Sequence, residues 1–177
     1  MKVKIGPYKE DGQDIRVHID PWDTWSMDWT LALIILPMLK QLQKTEHCAP
    51  KVDNEDVPRE LWADESGTDT SDPRSTVDDH WFDRWNWVMG EMIWAFSEHT
   101  KDWEEAEGQF YSGEVDILSV PIDEEGNEVD KQTAKYYRLD RGPNDTSQFD
   151  KEGWEAYSAR KKNGFRLFGK YYESLWD

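Results

Sequence analysis

Three long segments of the chain carry apolar residues at every third or fourth position, and this period constrains the fold more than any other feature. The segments are about 24–44, 80–105 and 150–175. A period of 3.6 residues lines up such side chains on one face of an α-helix. The first segment is apolar nearly all round, which is typical of a buried central helix, and Pro37 is expected to kink it. The sequence therefore predicts three long helices packed around a core rich in Trp and Tyr.

Two pairs of shorter segments predict β-hairpins. The first pair covers 2–5 and 15–20 around turn residues at 6–12, and the second covers 115–122 and 134–139. Alternation of apolar and polar residues is typical of a strand with one buried face. The predicted fold class is α+β and helix-dominated, with three long helices packed as a bundle and two short β-hairpins. We expect one domain over 1–177, with a flexible acidic loop at about 63–79.

The composition is unusual in two respects, since the chain has 11 Trp residues and a formal net charge of −17. Trp favours cores, interfaces and ligand pockets. Residues 98–130 carry twelve acids and one base, whereas 131–177 carry seven acids and ten bases. Residues 50–130 together form an acidic block. This block is either a solvated surface or an imitation of a nucleic-acid backbone. So negative a charge argues against direct binding to nucleic acid or to an anionic membrane.

No motif specifies a reaction. The chain has neither a phosphate-binding glycine loop nor a nucleophile elbow, and its four His and one Cys lack zinc-site spacing. We therefore expect no enzymatic activity, no cofactor and no metal. The apolar stretch 29–39 is too short to span a bilayer, and the first residues lack the apolar core of a secretion signal. These features predict a cytosolic protein.

Aromatic and basic residues on the three predicted helices suggest a ligand pocket. Flat rings stack on bases or sugars, and Arg side chains bind phosphates. The candidate ligand-binding residues are Trp22, Trp25, Asp28, Arg84, Trp87, Trp94, Arg166, Lys170 and Tyr171. The alternative is that the rings fill the core and the basic residues are ordinary surface charges.

Several strings resemble a recurring family of small acidic proteins from large tailed bacteriophages. The strings are DTWSMD at 23–28, LPMLKQL at 36–42, EDVP at 55–58, EMIWAF at 91–96 and FRLFGKYY at 165–172. The resemblance covers nearly the whole chain, apart from about 64–78 and 120–148. It implies a phage origin and the cytoplasm of a bacterial host, and it carries no catalytic assignment. The chain has Cys48 where the resemblance leads us to expect Gly, so no role is assigned to that thiol.

Two functions from different classes fit these observations. In the first, a non-enzymatic phage accessory protein binds and sequesters a small nucleotide-like ligand to counter host defence signalling. In the second, the acidic block of 50–130 imitates nucleic acid and blocks a DNA- or RNA-binding protein of the host. The first is favoured because mimicry does not require abundant Trp. A homo-oligomer is compatible with the first function, because ligand-sequestering proteins often assemble so that subunits share a pocket.

Overall fold

The computed structural model describes residues 2–10, 12–45, 47–63 and 78–176, and it is an α+β fold of helices and small antiparallel sheets. The helices are α1 (Met27–Thr45), α2 (Trp81–Thr100), α3 (Trp103–Ala106) and α4 (Lys151–Lys170). The strands are β1 (Lys2–Lys9), β2 (Gly12–His18), β3 (Tyr111–Ser112), β4 (Ile117–Ile122), β5 (Tyr136–Arg141) and β6 (Gln148–Phe149). Each of the three sheets has two antiparallel strands.

Both predicted hairpins are confirmed, as the pairs β1–β2 and β4–β5. The turn of the first hairpin is shorter than expected because β1 continues to Lys9 through an irregularity between Ile5 and Tyr8. The ladder between β3 and β6 was missed, since two-residue strands carry no periodic signal. The predicted loop at about 63–79 lies mostly outside the described residues.

The first predicted helix is confirmed, but it begins later than the predicted start at about residue 24. A 3₁₀ turn at Pro21–Thr24 precedes it, and α1 starts at Met27. The helix then continues through Pro37 to Thr45. Asp28 lies in the first turn and Lys44 in the last turn. Their charges interact favourably with the positive N-terminal and negative C-terminal ends of the helix dipole.

The prediction of one helix over 80–105 is wrong at its C-terminal end. Helix α2 stops at Thr100, and Lys101 adopts an extended backbone. The side chain of Asp102 then accepts a hydrogen bond from the Glu105 N–H, which caps a new short helix. The cap at Asp102 therefore starts a separate short helix, where the spacing of apolar residues had predicted one continuous helix.

The core is built mainly on α2, where Val88, Met89 and Met92 are fully buried. Residues of α1, α2 and α4 contribute to one hydrophobic cluster together with Val52 and Val57. The expected Trp- and Tyr-rich core is wrong: of the 11 Trp residues, all of them described, only Trp85 is buried, and six are exposed. The indole rings are therefore far more numerous than the packing of the helices requires.

Helix α4 approaches α2 closely at Gly164. A Cβ added to Gly164 would meet the Ala95 side chain and would lie 2.7 Å from the carbonyl oxygen of Glu91. Gly at this position allows the two helices to pack at a distance that a side chain would prevent. The glycine that sequence propensity marks as unfavourable inside a helix thus has a packing role.

The described residues form two compact units, one comprising 1–101 and 159–177 and the other comprising 102–158. The prediction of a single domain over 1–177 stays a prediction. Within the described ranges, no helix combines the length and the apolar character needed to cross a membrane.

Candidate functional site

The β1–β2 hairpin collects four basic side chains on one face. Lys2 pairs directly with His18 across the ladder, and Lys4 pairs with Arg16. Directly opposite residues of an antiparallel pair point to the same face, and residues two apart along a strand do so too. These four exposed residues form the cationic ribbon face. An open concavity of about 430 Å³ at this part of the hairpin is lined by the same four residues together with Val3 and Val17, which alternate with them along the two strands.

The cationic ribbon face is only partly neutralised. Arg16 lies 3.2 Å from Asp14, and His18 lies 3.1 Å from Asp20. In the part of the chain that the structure describes, neither Lys2 nor Lys4 forms an ion pair. Like charges directly opposite each other destabilise a sheet. An anion bound to this face would remove that repulsion.

A pair of stacked indoles follows strand β2, with Trp22 four residues and Trp25 seven residues beyond its end at His18. The rings of Trp22 and Trp25 have centroids 5.5 Å apart and planes inclined by only 14°. They are 75% and 78% exposed, respectively, so their outer faces are open to solvent. The 3₁₀ turn at Pro21–Thr24 holds them, because the Asp20 N–H donates to the Asp23 carboxylate at 2.8 Å. An exposed, preordered aromatic pair of this kind is suited to stacking with a planar ligand.

Two other candidate residues have partners within the protein. Arg84 is buried, and its guanidinium donates to both carboxylate oxygens of Asp78, at 3.0 and 2.7 Å, and to the Leu61 carbonyl at 2.9 Å. The burial of Arg84 favours a structural role, in which it fixes the start of α2 to the preceding segment. Asp28 lies 3.0 Å from His99 of α2, which joins the first turn of α1 to the end of α2.

The two candidate Trp residues on α2 are partly buried. Trp87 packs against the hydrophobic cluster. Trp94 lies beneath the guanidinium of Arg160, which is 4.0 Å from the ring centroid. Arg160 also donates to both carboxylate oxygens of Glu91, at 2.9 and 2.7 Å. Neither indole shows the solvent-open stacking face that Trp22 and Trp25 have.

The last three candidate residues converge on one buried carboxylate, that of Asp56. Arg166 donates to Asp56 at 2.5 Å, and the Tyr171 hydroxyl donates to it at 2.7 Å. The ammonium group of Lys170 lies 2.6 Å from Asp56 and 2.7 Å from Asp53. These cations are therefore occupied in attaching the 53–56 segment to the end of α4, and they are not directed at a free anion.

The same cluster has the oxygen atoms of a divalent-cation site but supplies its own cation. Carboxylate oxygens of Asp53, Glu55 and Asp56 lie within 4.8 Å of one another. Such a set of hard oxygen ligands suits Ca²⁺ or Mg²⁺. Here the Lys170 ammonium is 2.6–3.2 Å from all three carboxylates. This internal ion pairing points to a structural role for the cluster.

Lys170 and Tyr171, which contact Asp56, are expected to make the protein less stable at alkaline pH. Burial raises the pKa of Tyr171 to about 12, and the hydrogen bond with Asp53 raises the pKa of Lys170 above its ordinary value. A raised pKa in the fold contributes stability below the unfolded value, near pH 10 for Tyr, that is lost as pH rises through the folded value. We expect the free energy of unfolding to fall between about pH 10 and pH 12. Urea unfolding across this range, with Tyr171→Phe as the comparison, measures the effect; an equal fall in the variant contradicts a contribution from Tyr171.

The described structure thus separates the nine candidate residues into several groups. It brings Trp22 and Trp25 together, and it brings Arg166, Lys170 and Tyr171 together around a carboxylate. Sequence reasoning missed the cationic ribbon face. The signal was present as two alternating strands, but only the pairing register shows that their basic positions share one side.

Comparisons of the chain with protein-family models, with curated proteins and with solved structures found no match.

Proposed function

We propose that the protein is a non-enzymatic phage accessory protein that binds and sequesters a small nucleotide-like anion, and that its three long helices form a bundle. The cationic ribbon face, which the exposed Trp22–Trp25 pair follows closely along the chain, is the observation that carries this proposal. It supplies the two chemical features that a nucleotide requires, an aromatic platform and positive charge. In a chain with a net charge of −17, a local excess of basic groups is otherwise unexpected.

The tryptophan pair supports the recognition of a planar group. The two indoles are already ordered by stacking on each other, so little conformational entropy is lost when a base stacks on an outer face. Stacking of a base on an aromatic side chain contributes about 1–3 kcal/mol. Leaving two such rings in water forgoes several kcal/mol of hydrophobic stabilisation, which is consistent with retention for binding.

The ribbon face supports the recognition of phosphate. Lys2 and Lys4 have no described ion-pair partner, and Arg16 adds a guanidinium that can donate two parallel hydrogen bonds. The four residue steps from His18 to Trp22 span at most about 14 Å of extended chain. A ligand with an aromatic ring at one end and phosphate at the other therefore suits this part of the protein.

Binding is tested by titrating the protein with mono-, di- and cyclic nucleotides while Trp fluorescence and the thermal midpoint are recorded. We expect quenching by at least one nucleotide and an increase in the midpoint. Trp25→Ala is expected to weaken binding by about 5- to 100-fold, because it removes one stacking face. Lys4→Gln combined with Arg16→Gln is expected to weaken it by about tenfold or more, with a smaller dependence on salt.

The matched control is Lys51→Gln combined with Lys162→Gln, which removes the same charge at two exposed positions away from the ribbon. Equal weakening by the control and the ribbon variant would show that only net charge matters. Failure of every nucleotide to change fluorescence or stability would exclude the proposal. Recovery of the bound nucleotide with unchanged mass separates sequestration from catalysis.

A second candidate function is imitation of nucleic acid by the acidic unit 102–158. This unit has sixteen acidic and five basic residues, and four of the five bases are already ion-paired. Most of its carboxylates are exposed, so their charge is available to a basic groove. Salt-sensitive binding to a host DNA- or RNA-binding protein, without a response to nucleotides, would favour this function.

The resemblance to phage proteins suggests the biological setting of either function. A protein that only binds a ligand acts by stoichiometric removal, so it must be made in amounts comparable to its target. We propose the host bacterial cytoplasm as its location and host defence signalling as the process it counters.

A further inference from the structure

The outer side of α1 carries an apolar stripe that no described element covers completely. The stripe consists of Met27, Leu31, Ile34 and Met38, and it is named here the outer stripe of α1. Met27 and Met38 are 54% and 61% exposed, and Leu31 is exposed as well. The spacings of four, three and four residues place these side chains along one seam, as in the pairing face of a two-helix coiled coil.

The outer stripe continues into an apolar groove between α1 and the C-terminal part of the chain. The groove has a volume of about 740 Å³, and its lining includes Met38, Leu42, Thr45, Phe168, Tyr172 and Leu175. None of its lining residues is charged. Stripe and groove together form a continuous apolar surface within the unit 1–101 and 159–177. Exposed apolar surfaces of this kind are typical of protein interfaces.

We propose that this surface binds a second copy of the chain, with the outer stripes of two α1 helices paired about a twofold axis. The first argument is charge. Copies of a chain with a net charge of −17 repel each other over most of their surfaces. Residues 27–45 contain one acidic residue, Asp28, and the two bases Lys40 and Lys44, and the exposed Glu173 follows Tyr172 of the groove. Two copies therefore bring few acidic groups together at this surface.

The second argument is the exposed apolar surface. Met27, Leu31 and Met38 of the stripe are 54%, 41% and 61% exposed, and Tyr172 of the groove is 63% exposed. Contiguous apolar side chains of this kind form the buried centre of a standard interface, which covers about 800 Å² per partner. The spacing of the stripe is also self-complementary, because a twofold axis places the same residues on both sides. Low charge at the centre and polar residues at the rim match the composition of stable interfaces.

The oligomeric state tests the proposal. Sedimentation equilibrium of the full chain at micromolar concentrations is expected to give twice the chain mass of 20.9 kDa. Association is expected to strengthen as salt increases, because salt screens the repulsion between acidic copies while apolar contacts persist. A dimer held by ion pairs would weaken instead, and that result would overturn the proposal.

Two double variants localise the contact. Met27→Lys with Met38→Lys places charges in the outer stripe and is expected to raise the dissociation constant by about 100-fold or more. Val115→Lys with Leu139→Lys likewise replaces two apolar residues by Lys, at positions outside the stripe that are at least as exposed, and should leave association unchanged. Circular dichroism and thermal unfolding show whether both variants remain folded. A wild-type monomer at about 100 μM, above the dissociation constants of most specific interfaces, or an unaffected dimer in the stripe variant, contradicts the proposal.

Discussion

Replacement of Asp56 by Asn is expected to lower the free energy of unfolding by about 3 kcal/mol. The carboxylate of Asp56 is 1% exposed and is the common acceptor of Arg166, Lys170 and the Tyr171 hydroxyl. Burial alone would raise the pKa of Asp56, but the hydrogen bonds from Lys170, Tyr171 and Arg166 outweigh it and hold the pKa below its usual value. An amide removes the charge that these three donors stabilise.

The expected size of this effect is at the lower end of the range for broken buried ion pairs, about 3–5 kcal/mol, because Arg166 and Lys170 keep contact with water. It corresponds to a fall in the thermal midpoint of about 6–12 °C for a chain of this length.

The matched control is Asp53→Asn. Asp53 binds the same Lys170 at 2.7 Å, but its side chain is 53% exposed. An exposed ion pair contributes about 0–1 kcal/mol, so the control should change the thermal midpoint by only a few degrees at most. Chemical and thermal unfolding of both variants measure the difference. Equal and small shifts would show that the Asp56 cluster does not hold the 53–56 segment on α4.

Replacement of Gly164 by Ala is expected to destabilise the fold by about 1–3 kcal/mol, although Ala is the better helix former by about 1 kcal/mol. The added methyl group would lie against the Ala95 side chain and 2.7 Å from the Glu91 carbonyl oxygen. The obstacle is partly backbone, so it cannot be removed by a change of side-chain rotamer. Helices α2 and α4 would have to separate locally.

Gly169→Ala is the control for this substitution within the same helix. A Cβ at Gly169 meets no atom within 4 Å, and the residue is exposed. Because Ala has a higher helix propensity than Gly, this substitution should raise the free energy of unfolding by up to about 1 kcal/mol. Opposite signs for the two substitutions are the expected result in urea unfolding. A stabilising Gly164→Ala would show that α2 and α4 are not in close contact at this point.

The positions of the main elements were predictable because they depend on local periodicity. Helices α1, α2 and α4 and the hairpins β1–β2 and β4–β5 all follow from the spacing of apolar residues. The end of α2 at Thr100 was not predictable in this way, since it depends on the cap that Asp102 provides. Element boundaries are set by single hydrogen bonds, to which a periodic pattern is insensitive.

For the candidate site residues, the sequence predicted the exposed aromatic rings but not which basic residues are paired with acids. Exposed indoles at Trp22 and Trp25 agree with the expectation of surplus aromatic rings, but Arg84, Arg166 and Lys170 proved to be partners of carboxylates. A sequence shows which residues can bind phosphate, but it does not show which acids already occupy them. Asp56 and Lys170 are 114 positions apart, and only folding brings them together.

By itself, the sequence determined the α+β class, the long helical segments and the excess of aromatic and acidic residues, because period, propensity and charge are local or summed properties. The tertiary structure decided which rings face solvent, which cations are neutralised and which strand residues share a face. These outcomes depend on register and on contacts between distant residues. The cationic ribbon face and the outer stripe of α1 are therefore properties of the folded chain, although every residue in them is visible in the sequence.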